Sequence, residues 1–118
     1  MKTEKLAERQ RRYFLTGATL PYETRARALA KLDRALVKYE EALKQALHAD
    51  LGKSESESSM AEIAMTKAEL SYCRKHLAGW MKREHVKTGL ANFPAASFTV
   101  AEPYGVVLVM APWNYPVM

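Results

Sequence analysis

From Glu102 to Pro116 the chain reads EPYGVVLVMAPWNYP, and the architecture turns on this stretch. Val106 to Met110 shows no polar alternation, the pattern of a strand buried on both faces in a parallel sheet. Pro112 and Pro116 lack N–H groups and fix their own φ, so the residues after Met110 are neither strand interior nor helix interior. They read as a stiff loop at the end of a buried strand. In open α/β sheets ligands bind at that place. The loop carries one amide side chain, Asn114, between the aromatics Trp113 and Tyr115.

Working back toward the N-terminus, the segment 86–103 is rich in turn formers. Val86 to Thr88 and Ser97 to Glu102 read as two strands of a hairpin joined by GLANFPAA. Pro103 closes the second strand, because it can donate no ladder hydrogen bond. Three helices precede this region. The first, about 4–15, places Leu6, Gln10, Tyr13 and Phe14 on one face, with Gly17 as its stop. The second, about 21–50, repeats Leu29, Leu32, Leu36, Tyr39, Leu43 and Leu47 at spacings of three and four, one apolar stripe on a long helix. Pro21 suits its first turn and Gly52 the left-handed cap beyond its end. The third, about 55–84, turns Ile63, Leu70, Leu77 and Trp80 inward, with Thr66 and Cys73 on the adjacent row. Ser54 with Glu57 and Ser59 with Glu62 both have capping-box spacing, leaving two candidate starts. Gly79, inside that helix, is expected at a close packing contact.

Composition narrows the function classes. The chain has 118 residues, 48% hydrophobic and 26% charged, as ordinary globular domains have. No run reaches the roughly 18 apolar residues of a membrane span. Cys73, the single cysteine, has no internal disulfide partner, which fits a cytoplasmic protein. The net charge of +5 arises in residues 1–53, with 12 basic and 7 acidic side chains. Those basic residues alternate with acidic ones on helix-forming sequence, as on a solvated face, so no nucleic-acid partner is expected. His48, His76 and His85 lack the spacing of a metal site, and no metal is expected. No GxGxxG occurs.

One buried strand cannot stand alone, and the helix stripes also want partner surface. The sequence therefore reads as the opening part of a larger α/β protein. EPYGVVLVMAPWNYP (Glu102 to Pro116) and LHADLGKSESES (Leu47 to Ser58) resemble the N-terminal region of NAD(P)-dependent aldehyde dehydrogenases, nearest the dimeric, fatty-aldehyde-like class 3 branch. The resemblance implies the start of that family's fold: three helices, a hairpin, then the first buried strand of a Rossmann-like sheet. It divides the chain into a helical part of the cofactor-binding domain (1–85), a hairpin like the family's oligomerisation arm (86–103), and the strand with its loop (104–118).

The chemistry implied is oxidation of an aldehyde substrate to a carboxylic acid with NAD or NADP. In the family a cysteine thiolate attacks the aldehyde, hydride passes to the nicotinamide, and a glutamate-activated water hydrolyses the thioester. An asparagine in this loop donates its side-chain N–H to the developing oxyanion, and Asn114 matches it. Such a donor must be neutral, must not titrate and must be in place before charge develops. Residue chemistry alone favours a plainer role, since asparagine often only makes a turn. The resemblance reverses that order. It also sets Ala111, Pro112 and Trp113 beside the nicotinamide ribose. The family's glycine loop, glutamate base and nucleophilic cysteine lie farther along than Met118, and Cys73 matches a small core residue instead. The expected whole is a homodimer, inactive as these 118 residues alone. The competing expectation is a free-standing helical interaction module without catalysis.

Overall fold

The computed structural model describes residues 2–118. Helix α1 spans Lys2–Leu15, α2 Tyr22–Lys38 and α3 Glu40–Leu51. A short α4, Glu55–Glu57, runs through a π-helical segment, Ser58–Ala64, into α5, Met65–Trp80. Strands β1 (Glu84–Val86) and β2 (Ser97–Thr99) come next, with a 3₁₀ turn at Leu90–Asn92 between them.

The three expected helical stretches are present, with three departures. The last helix ends at Trp80, and Glu84, expected within it, opens β1. The second stretch is interrupted at Tyr39, whose φ and ψ are −105° and 12°. Helical hydrogen bonding continues on both sides, Tyr39 N–H to Ala35 and Leu43 N–H to Tyr39, each 2.9 Å. No glycine or proline marks this break in the sequence. It is set by packing: α2 lies against α5, whereas α3 lies against the π segment. Leu36 and Leu47 are buried as the stripe requires, but Leu32 and Tyr39 are each 50% exposed. The third departure is the π segment itself, which widens one turn and turns Ser58, Glu62 and Ile63 all into the interior. The start lies at the first of the two candidate caps, where Ser54 Oγ accepts the Glu57 N–H at 3.1 Å.

Ile63 and Leu70 are buried in the helical core. Trp80, expected inward, is half-exposed and stacks on His76 along the outer face of α5. Gly79 faces open space rather than a close contact. Arg74 of α5 pairs with Asp33 of α2, joining the two packed helices.

The hairpin is antiparallel, with Glu84 opposite Thr99, His85 opposite Phe98 and Val86 opposite Ser97. Its first strand lies two residues earlier than the sequence pattern suggests. The Thr88 hydroxyl takes the Ser97 N–H at 2.9 Å and ends the ladder on that side.

The strand expected at Val106 to Met110 finds no partner among the described residues. These residues form no ladder, and Val107 to Met110 are 64–84% exposed. A strand exists only by pairing, and among the described residues the sole sheet is the two-stranded hairpin. The segment is anchored at its start instead. Gly105 has φ +97°, and a Cβ there would lie 3.4 Å from the Phe14 ring of α1. Gly105→Ala should cost about 1–3 kcal/mol, the usual strain of a non-glycine residue in this backbone region. A urea-melt midpoint unchanged from the parent would contradict that.

Candidate functional site

The site is built where the C-terminal loop meets the α3–α4 corner. Helix α3 ends at Gly52 in the left-handed conformation (φ 65°), its N–H bonded to the His48 carbonyl. This cap reverses the chain and turns Lys53 inward, leaving it 7% exposed. His48 Nδ1 lies 3.0 Å from the Lys53 carbonyl. A carbonyl only accepts, so Nδ1 carries the proton.

The Lys53 ammonium has three partners. It donates to Glu62 Oε1 at 2.5 Å and to the Asn114 carbonyl at 2.6 Å. It also lies 3.8 Å from the centroid of the Tyr115 ring, over its negative face. Glu62, fully buried in the π segment, uses its second oxygen to accept the Val117 N–H at 2.9 Å. Thr66 Oγ1, 2.8 Å from the Glu62 carbonyl, reaches the Val117 carbonyl at 3.3 Å. Buried charges persist where they are paired and hydrogen-bonded, and here the pairing partners include the backbone of the loop.

The loop itself turns between Pro112 and Tyr115, with the Tyr115 N–H bonded to the Pro112 carbonyl at 3.1 Å. Asn114 therefore does sit in a turn. The turn does not demand asparagine, because no residue other than glycine has positive φ among those described. Asn114 is exposed, and its backbone carbonyl is held by the Lys53 ammonium. An open cavity of about 290 Å³ lies there, lined by Leu51, Lys53, Glu57, Asn114 and Tyr115.

Ala111, Pro112 and Trp113 are likewise exposed, Trp113 by 92%. Cys73 is half-buried on α5 and unpaired. No group of three or more His, Cys, Asp or Glu among the described residues could hold a metal ion. Asn114 and Tyr115 were legible from the loop sequence, but Lys53, Glu62 and Thr66 were not assigned to it. The available signal was a lysine directly after the helix-ending Gly52 and a glutamate beside the core residue Ile63.

Residues 2–118 match the model of the aldehyde dehydrogenase family. Mouse aldehyde dehydrogenase family 3 member B2 is 44% identical over 107 residues, covering 91% of this chain and 22% of the mouse protein. Member H1 of family 3 from Arabidopsis thaliana is 43% identical over 106 residues, covering 90% of this chain and 22% of its own. The substrate-bound structure of Staphylococcus aureus AldH superposes with TM-score 0.93 at 37% identity. It covers 98% of this chain and 25% of the AldH chain. The chain thus spans about a quarter of the proteins it matches.

Proposed function

The chain belongs to the aldehyde dehydrogenase family, and on that premise we propose that it is the N-terminal segment of an NAD(P)-dependent enzyme oxidising aldehydes to carboxylic acids. The observation that carries this reading is Asn114, exposed and with its backbone carbonyl tied to a buried ammonium. In this role the Asn114 carboxamide N–H donates to the aldehyde oxygen as a cysteine thiolate adds to the carbonyl carbon and that oxygen becomes negative. A neutral donor held before charge develops loses little reorganisation energy during the reaction. Anchoring through the backbone carbonyl leaves the carboxamide available for this.

The cofactor reading rests on Ala111, Pro112 and Trp113. These exposed residues, with the open Trp113 ring, suit the sugar and flat ring of a dinucleotide, and they would line its nicotinamide end. The bound nicotinamide supplies the hydride acceptor. We place the pairing surface of a homodimer on the hairpin region, 86–103, and the enzyme in the cytoplasm.

Aldehyde-dependent formation of NADH or NADPH by the complete enzyme tests the activity. The 118-residue polypeptide alone should give none, because covalent catalysis needs an activated nucleophile and Cys73 is half-buried within α5. Turnover by the short polypeptide that disappears on Cys73→Ser would overturn this assignment. Its exposed apolar segment, Val107 to Met110, should also make it self-associate. A monodisperse monomer with a sharp thermal transition would favour the free-standing interaction module.

A further inference from the structure

We propose that Lys53 and Glu62 are positioning residues for Asn114, acting on the reaction through the loop backbone without touching substrate. This inference rests on the oxyanion role proposed for Asn114.

The geometry is that of a staple with three teeth. Lys53 holds the Asn114 carbonyl at 2.6 Å and the Tyr115 ring at 3.8 Å, and Glu62 holds the Val117 N–H at 2.9 Å. The two side chains hold each other at 2.5 Å and are shielded from water, 7% and 0% exposed. The fastened residues span Asn114 itself and the three positions after it. No sheet ladder performs this task, since the loop and the run before it pair with no strand among the described residues. Pro112 and Pro116 restrict φ at two positions but supply no donor. Without the staple the segment would keep only its own turn bond and the 3.3 Å contact of Thr66 Oγ1 with the Val117 carbonyl.

A charged donor suits this job. Hydrogen bonds from an ammonium are shorter and stronger than neutral ones, and burial removes competing water. The ion pair also locks the two anchors together, because moving Lys53 away from Glu62 would leave both charges buried and unpaired. The carboxamide of Asn114 starts one residue's side chain away from the fastened carbonyl. A backbone shift there carries over directly into the donor position. Misplacement by about 1 Å is enough to cost on the order of a hundredfold in rate.

The test is a double-mutant cycle in the full-length enzyme, read by the single-turnover rate of hydride transfer. Lys53→Met should slow that step about ten- to a hundredfold, with the KM for aldehyde and the affinity for NAD(P) changed by less than about threefold, as expected for a loss felt mainly in the transition state. In an Asn114→Ala background the same change should cost less than about threefold more, because a misplaced donor that is already absent cannot be missed. A merely structural lysine would slow both backgrounds equally, and that additivity overturns the proposal, as does a normal rate in Lys53→Met. Where Lys53→Met alone does not fold, Lys53→Met with Glu62→Leu leaves no lone buried charge and carries the same cycle. If Asn114→Ala by itself leaves hydride transfer unchanged, the oxyanion reading fails first and takes this inference with it.

Discussion

Replacing Asn114 by alanine in the full-length enzyme should lower the rate of acyl-enzyme formation by roughly a hundred- to a thousandfold, the loss seen when one oxyanion donor is removed. NAD(P) affinity should hardly change, because the carboxamide acts on charge that is present only near the transition state. Asn114→Asp should be worse, since it sets a carboxylate against the developing negative oxygen. The turn-forming role forecasts otherwise. The Pro112–Tyr115 turn contains no positive φ outside glycine, so if Asn114 only shaped it, alanine and aspartate would be tolerated with a small change in stability. Single-turnover kinetics on both variants, with thermal melts beside them, separates the two roles. A folded alanine variant with near-normal hydride transfer would remove Asn114 from the catalytic groups.

Glu62→Ala should destabilise the enzyme by about 3–5 kcal/mol, the usual consequence of removing one member of a buried ion pair. Glu62 is fully buried, and its loss strands the Lys53 ammonium and the Val117 N–H together. The paired change Lys53→Met with Glu62→Leu should recover much of that loss, because two apolar side chains of similar volume leave no uncompensated charge. Urea midpoints for the single and paired variants, compared at unchanged slope, read this directly. Equal destabilisation of both would mean that packing volume, not the buried charge, sets the effect. By contrast, Arg12 with Glu8 is an exposed pair on α1 at 2.6 Å, and its removal should matter little.

The features legible in the sequence alone are local ones. The three helical stretches, observed at 2–15, 22–51 with a break at Tyr39, and 55–80, follow the apolar spacing. Gly52 ends its helix in the left-handed conformation that glycine adopts without strain, and Ser54 caps the next. The loop between Pro112 and Pro116 was legible because proline excludes the regular alternatives, and Asn114 stood out as its one neutral amide donor. Each of these depends on residues within a few positions of one another.

The remaining features were settled by tertiary packing, because their causes lie far apart along the chain. Tyr39 interrupts a helix that carries no breaker, as the halves on either side pack against different partners. The widened turn at Ser58–Ala64 buries Glu62, which a regular capping pattern would have left at a helix start. Val106 to Met110 has the composition of a buried strand yet is largely exposed, since a strand needs a neighbour and no pairing partner stands beside it among the described residues. Lys53 reaches the carbonyl of Asn114 across 61 positions of sequence. Periodicity reports which face of an element is apolar; it does not report which distant backbone group a buried charge will meet.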